Sequence, residues 1–497
     1  MFLLISAFLI PLLLYIYLIW TYDYWKKKKV PFPEPIAVFG NIKDIVLLKK
    51  FPGACHREIY WEYPNEKFVG IYQLRNPSLL IRDPELIKRI LVKDFDHFMN
   101  RGFHIDEKRE PLTGHLVNLE SNRWRILRNK LTPAFSSGKI KNMFPLLVES
   151  SNKLQQFVQN ELGGSEGIIE LRETTARFTT DVIGSVAFGL QFNAMSGDSV
   201  FREMGKKALQ PTAKAAMAKA MRHFVPWIFD ALRMRTFPDE INSFFTGVVR
   251  ETMSYREKID SQRNDFLQLM IQLKKADFKN PVKDDILFTD SVIAAQAFVF
   301  FLAGFETSST TMSFCMYELS KNVKCQDKAL EEINKVLEKH GSLNYDAVIE
   351  MNYLENILLE TMRLYPPVSG LSRVCTKPYQ IPGTDVEIDP GVAIVIPVYA
   401  LQHDPEYFPD PEQFIPERFD DKDILKSHTY MPFGEGPRIC IGQRFAMLEM
   451  KLALVQLIKN YEMRLSEKTV QPLVLDPKSF ILAPVDGIWI KLVSRKY

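Results

Sequence analysis

An excess of charge of one sign is missing from this 497-residue chain: 63 Lys+Arg stand against 60 Asp+Glu, a formal net charge of +3. No bulk positive field exists to pair with phosphates, which excludes a nucleic-acid partner held by net charge. Cysteine is scarce. Cys55, Cys315, Cys325, Cys375 and Cys440 are odd in number, widely spaced and free of any Cys-x-x-Cys pair. That excludes a disulfide-stapled secreted module and implies reduced thiols, with the bulk of the chain in the cytosol. Internal repeats and low-complexity linkers are also lacking. With 46% hydrophobic and 25% charged residues, the composition is that of a globular protein and not of a disordered one.

Uninterrupted apolar sequence is confined to one place, Phe2 to Trp20. As a helix it would reach ~28 Å, about the thickness of a hydrocarbon core. Pro11 would kink such a helix without disqualifying it. Tyr22, Tyr24 and Trp25 supply interfacial aromatics, and Lys26 to Lys29 follow with no positive charge before the span. The positive-inside rule then puts the remainder on the cytoplasmic side. A cleaved signal peptide would need basic residues ahead of the run and small residues after it, and has neither. The expected organisation is a membrane anchor over 1–25, a basic, Pro-rich hinge over 26–36 and a globular body over 37–497.

The body reads as mainly α with a small β region. Apolar residues recur at helical spacing in 140–162, 172–190, 243–275, 286–320, 326–340, 346–365 and 442–461. Strand-like runs are short: 67–74, 78–82 and 386–397, with a Pro-Gly turn inside the last. Residues 366–419 are rich in proline and lack a long helical pattern. Segment 208–229 mixes Lys214, Lys219 and Arg222 with Met217, Met221, Phe224, Trp227 and Ile228, which suits a membrane surface or an ordinary exposed helix equally.

The strongest chemical signal is Phe433-Gly434-Glu435-Gly436-Pro437-Arg438-Ile439-Cys440-Ile441-Gly442, which opens into a helix. Cys440 stands at the helix N-terminus, where the dipole and free N–H groups favour a thiolate. Gly434, Gly436 and Gly442 let backbone approach a flat partner, and Arg438 offers a bidentate donor to a carboxylate. This combination suits a haem held by sulfur with a propionate clamped beside it. A zinc site would need further ligands close by, and none is near. A lone cysteine is more commonly an inert core residue; the glycines and the helix start weigh against that here.

Three further groups join it. Glu360 and Arg363 share a helix face within an apolar stretch, and Arg418 in Pro416-Glu417-Arg418-Phe419 is a candidate third partner, together a structural brace. Ala303-Gly304-Phe305-Glu306-Thr307 interrupts an apolar helix and suggests a locally opened polar notch. Facing an iron, Thr307 would donate to bound dioxygen and Glu306 would relay protons; the alternative is a kinked core helix. Trp124 and Arg128 lie four apart on one face and would bond an anion such as a haem propionate, with Arg373 a weaker candidate.

Taken in order, Trp124–Arg128, Ala303–Thr307, Glu360–Arg363, Pro416–Phe419 and the Cys440 loop make the chain resemble a cytochrome P450 over nearly its whole length. Residues 83–102, 118–139 and 433–451 are similar to the microsomal insect family-six enzymes. The resemblance implies one catalytic domain, against the roughly three a length prior gives. It implies haem b with Cys440 as the axial ligand of the iron, and contacts from Trp124, Arg128, Arg373, Arg438, Phe433, Gly434, Gly442 and Ala303. It also implies electrons from NADPH through NADPH–cytochrome P450 reductase, with cytochrome b5 as a further donor, and residence on the endoplasmic reticulum membrane. Phe103, Leu116, Phe298, Val368, Leu371 and segment 479–484 are the implied contacts to a lipophilic substrate. Arg123, Arg125, Lys130 and Arg444 form a basic face for an acidic reductase, or an ordinary solvated face. Two other classes stay open: a thiolate-haem isomerase or dehydratase working on hydroperoxides without reductase, and a non-catalytic haem carrier.

Overall fold

The computed structural model describes residues 12–495, apart from 14, 210–212, 260–262, 264, 280–285 and 287. Most of the apolar run 2–20 therefore lies outside the described residues. The longer helices are α1 (Pro52–Glu62), α2 (Ser121–Leu131), α3 (Ser137–Leu162), α4 (Leu171–Ile183), α5 (Val200–Leu209), α6 (Ala213–Phe224), α7 (Asp239–Lys258), α8 (Phe266–Lys279), α9 (Asp290–Lys321), α10 (Val323–His340), α11 (Asn352–Leu364) and α12 (Gln443–Asn460). Among the described residues nine short strands accompany them: β1 (Phe68–Gln73), β2 (Asn76–Ile81), β3 (Glu166–Glu170), β4 (Leu371–Val374), β5 (Tyr379–Gln380), β6 (Glu387–Ile388), β7 (Ala393–Ile396), β8 (Tyr461–Leu465) and β9 (Trp489–Ser494). They form a four-stranded sheet in the order β1-β2-β7-β4, a three-stranded sheet β3-β9-β8 and the pair β5-β6. The protein is mainly α with a small β region.

Polar caps set several helix ends. The Thr289 hydroxyl accepts from the Val292 N–H at the start of α9, and the Glu170 carboxylate accepts from Arg172 and Glu173 at the start of α4. The apolar pattern 243–275 is divided between α7 and α8. The reason is Asp265, which accepts from the Gln268 N–H at 2.9 Å and so begins a new helix. Asp265 is also held by the buried Arg256 through bonds of 2.7 and 2.8 Å. Sequence periodicity ran straight across this break because both helices bury the same kind of face.

α9 is the axis of the larger core. Of its residues from Ile293 to Ser320, most are buried, against α4, α7, α11 and α12 among others. Among the described residues it is the one helix long and apolar enough to cross a membrane, with mean hydropathy 1.4, and 61% of that window is buried within the protein. It is a core helix by its packing. A second core surrounds the four-stranded sheet and contains Trp25. Trp25 is fully buried, and its Nε1–H donates to the Ile71 carbonyl at 3.1 Å. This corrects the expectation of an interfacial aromatic at that position: the indole completes the sheet core.

Candidate active site

The Cys440 loop is closed by its own backbone. The Cys440 N–H donates to the Phe433 carbonyl at 2.9 Å, and Gly442 caps α12 immediately after it. Gly436 adopts φ +69°, and a Cβ there would stand 1.9 Å from the Leu91 carbonyl oxygen. Only glycine fits, so the loop lies flat against the turn at 89–93. Burial pushes the Cys440 thiol up, whereas the Gly442 N–H and the guanidiniums of Arg128 and Arg101 pull it down. The side chain retains accessible surface yet experiences a fully buried environment.

Guanidiniums gather beside this loop. Arg438 is 3% exposed and Arg373 is 2% exposed. Burial, then repulsion by Arg101 and Arg373, pushes Arg438 down to about 8. Burial and Arg101 push Arg373 down to about 9, and burial lowers Arg101 to about 10. Arg128 is also lowered by burial. Guanidinium does not give up its proton at these sites; the depression marks a cluster of four cations short of anions. Glu120 is the acid whose field reaches Arg438, and it is itself raised by burial. The Arg373 Nε is buried with no partner. A bis-carboxylate beside a thiol meets both needs, so the residues present fit haem.

Within this cluster the donors are not equivalent. Arg438 spends its fork on backbone, donating to the carbonyls of Met99 and Leu119 at 2.7 Å each, and it stacks 4.3 Å above the ring of buried Trp124. It braces the 99–119 loop, a role different from the freely offered bidentate donor expected. Arg101, absent from the sequence-based candidates, donates to Val117 and to the Arg438 carbonyl at 3.3 Å. Nothing in its local sequence distinguishes it, since its partners are up to 337 positions away.

On α9, Ala303 is exposed and Thr307 half-buried although most of their neighbours are buried. Ala303 and Thr307 lie four apart on one face, so a short stripe of the core helix is left uncovered there, while Phe300, one turn earlier, packs on Phe266 at 4.2 Å and Phe135 at 5.5 Å. The Thr307 hydroxyl donates to the Ala303 carbonyl at 2.6 Å. The helix runs unbroken through this point, so the expected opened notch is not formed. Instead Gly304 admits its neighbour: a Cβ there would lie 2.4 Å from Ile183 of α4. Glu306 is buried and paired with Arg172. That pairing directs its carboxylate toward α4, about 100° around the helix from Thr307.

Glu449 on α12 was not singled out from the sequence. It is 1% exposed, and neither carboxylate oxygen has a partner of full hydrogen-bond geometry. Burial pushes its carboxyl well above the usual range, with the Ser308 hydroxyl as a polar neighbour.

The brace is compact. Arg363 and Glu360 are wholly buried, joined at 2.7 and 2.8 Å. Arg363 also donates to the carbonyls of Gln402, Pro411 and Gln413. Arg418 Nε lies 3.3 Å from Glu360 Oε1, and the Ile415 N–H donates to the same oxygen at 2.9 Å.

The substrate candidates separate. Leu371 adjoins the Cys440 loop, 3.9 Å from where a Gly434 Cβ would stand, and Val368 is half-buried nearby in sequence. The Leu482 N–H donates to the Pro367 carbonyl at 3.0 Å, which brings 479–484 to the same place. Leu116 is buried and Phe103 half-buried, with its ring 6.0 Å from His223. Phe298 differs from the expectation. It packs between Phe237 at 5.1 Å and Phe245 at 4.9 Å. Nine residues at ~100° each put it on the side of α9 opposite Thr307.

Of the basic residues assigned to a reductase face, Arg123 pairs with Glu107, Arg125 with Asp96 and Lys130 with Asp277. Arg444 donates to the Ser137 hydroxyl at 3.2 Å. Three of the four therefore already have acidic partners within the chain. In α6 and the segment after it, Met217 and Trp227 are 61% and 62% exposed.

The sequence profile described as cytochrome P450 matches residues 30–490. Among curated relatives, the probable cytochrome P450 6a13 of Drosophila melanogaster is 40% identical over 504 residues, covering 99% of this chain and 98% of that protein. Cytochrome P450 6A1 of Musca domestica is 37% identical, covering 95% and 94%. Cytochrome P450 6j1 of Blattella germanica is 36% identical, covering 98% and 96%. An accessible thiol, an anion-hungry arginine cluster and these full-length matches have one common explanation: the chain belongs to the cytochrome P450 family and is a P450 monooxygenase.

Proposed function

We propose that this monooxygenase inserts one atom of dioxygen into a lipophilic small molecule, using electrons from NADPH delivered by a flavoprotein reductase. The observation that carries the reading is the accessible Cys440 thiol beside four unbalanced guanidiniums. Cys440 would ligate the iron of haem b, with Arg101, Arg128 and Arg373 holding its propionates and Trp124 and Arg438 supporting that wall. Haem held by sulfur supplies dioxygen activation, the thiolate's electron donation favouring O–O cleavage. The protein's own groups bind and protonate. The Gly442 N–H beside the Cys440 sulfur would favour its charged form against the effect of burial. The Thr307 hydroxyl, now on the Ala303 carbonyl, rotates to present its proton to the site. Glu306, about 100° around α9 from Thr307 and paired with the partly exposed Arg172, would pass protons inward from that side. Apolar residues including Leu116 and Leu371 exclude water and suit a substrate of low polarity, such as a xenobiotic or plant toxin.

We place the protein on the endoplasmic reticulum membrane, anchored by 1–25. The length and apolarity of that run support this reading, as do the exposed Met217 and Trp227. The test is the carbon monoxide complex of the dithionite-reduced holoprotein, followed by turnover with NADPH and reductase. The thiolate-type Soret band is expected, with its loss and loss of turnover in Cys440→His. A Cys440→His variant with full NADPH-dependent turnover overturns the assignment. Product formed from a hydroperoxide without NADPH would establish the isomerase class instead.

A further inference from the structure

Gln296 is fully buried in α9, and both polar atoms of its amide are hydrogen-bonded. Its Oε1 accepts from the Leu116 N–H at 2.9 Å. Its Nε2 donates to the Gly114 carbonyl and to the Val292 carbonyl, each at 3.2 Å. One side chain thus supplies both a donor and an acceptor to a loop 180 positions earlier. That loop has no regular structure of its own after the short turn Pro111–Thr113. Its other end is held by Arg438, which takes the Leu119 carbonyl. The loop therefore bridges α9 and the Cys440 wall, carrying buried His115 and Leu116 across the gap.

Gln296 precedes Ala303 by seven residues. Two helical turns return it to the same face as Ala303 and Thr307, ~10 Å along the axis from Ala303. The clamp therefore lies two turns from Ala303 on the same face and fixes the position of Leu116 against α9. Glu110 holds the same loop from behind, its Oε1 accepting from Thr236 and Phe237 at 2.8 and 3.0 Å. Neither contact moves without leaving a buried polar group unpaired.

We propose that Gln296 is a positioning residue that sets the ceiling of the substrate site, limiting the length of lipophilic molecule admitted above Thr307 by fixing the 114–116 backbone. The proposal rests on the monooxygenase reading of that site, and its test separates the two. The variants are Gln296→Met, which keeps the side-chain length without hydrogen bonds, and Gln296→Glu, which keeps the acceptor for the Leu116 N–H. Hydrogen exchange over 111–119 reads the clamp without reference to haem chemistry. Protection at Leu116 is expected to fall about tenfold or more in Gln296→Met and to be partly retained in Gln296→Glu, in line with the loss of one buried hydrogen bond. Spin-state titration with an n-alkylbenzene series, toluene to dodecylbenzene, reads the ceiling. Gln296→Met should bind short members several-fold more weakly and move the chain-length cut-off upward, with the thiolate-type carbon monoxide band unchanged. An unchanged cut-off and unchanged exchange overturn the proposal. So does lost protection with the same cut-off. If Gln296→Met does not fold, the same two measurements on Gln296→Glu decide it. Absence of the thiolate band in the parent protein would overturn the functional reading alone, because the exchange result stands apart from it.

Discussion

Arg363 grips Glu360 with two hydrogen bonds, Nε to Oε2 at 2.7 Å and Nη2 to Oε1 at 2.8 Å, and neither side chain reaches solvent. The pair would be a poor stabiliser on its own, because two desolvated charges cost as much as their attraction returns. Its value lies in the carbonyls of Gln402, Pro411 and Gln413, the Ile415 N–H and Arg418, which all converge on it. Removing one partner strands the other. Arg363→Met should destabilise the protein by about 3–5 kcal/mol, read as a lower midpoint in urea. A loss below about 1 kcal/mol would mean that the 402–418 segment is held by other contacts.

The arginine cluster makes a prediction of two signs. In protein without haem, Arg373→Leu removes a buried cation whose Nε is unpaired and whose neighbouring charge is another guanidinium, Arg101, and should raise the melting temperature. In the holoprotein the same change should speed haem loss to apomyoglobin by about tenfold, the equivalent of one charge-assisted hydrogen bond. Equal effects in both forms would remove Arg373 from propionate binding.

Thr307→Ala should leave haem ligation intact and uncouple NADPH use from product, with hydrogen peroxide rising as product falls. The hydroxyl sits on the accessible stripe, and its present bond to Ala303 is one it can exchange. Product per NADPH equal to that of the parent would exclude Thr307 from proton delivery.

Three buried histidines give stability a pH limb, His115 being lowered to about 3 by burial and by Arg222 and Arg101. Burial lowers both His56 and His403 to about 4. Their folded values lie below the unfolded value of about 6.5, so the unfolded chain takes up protons first as pH falls. Stability is complete above pH ~6.5 and is lost toward pH ~4, about 2 kcal/mol per histidine by pH ~5. His56→Leu should flatten its share of that decline in denaturant titrations; an unchanged slope would show that His56 is solvated in solution.

Glu449 acts with the opposite slope. Its folded value lies well above 4.5, so above that pH the unfolded chain gives up a proton that the folded chain keeps. Stability therefore falls as pH rises from ~4.5 toward the folded value. Glu449→Gln should remove that decline and gain about 1–3 kcal/mol near neutrality. A loss of stability on this substitution would mean that the carboxylate is paired in solution.

The Cys440 loop was legible from sequence because all its determinants lie within ten consecutive residues. The Glu360–Arg363 brace was legible for the same reason, its spacing of three being a helix face. Arg101 and Gln296 were not, because what distinguishes them is a partner 337 or 180 positions away. Phe298 was misplaced because apolarity on a core helix does not say which neighbour it meets; ring packing with Phe237 and Phe245 decided it. β3 and β9 were missed because each is five or six residues long and gains its identity by pairing across the chain, Glu166 to Val493 and Glu170 to Trp489.

Trp25 has a mechanical consequence. Its indole is sealed in the sheet core and its backbone N–H donates to the Tyr72 hydroxyl at 3.1 Å, so the stretch next to the apolar N-terminal run is bolted to β1. A stalk fastened this way transmits torque. On a bilayer, the angle at which the N-terminal segment enters would dictate the tilt of the whole body, and with it which openings face lipid. Trp25→Gly would convert that rigid mount into a swivel.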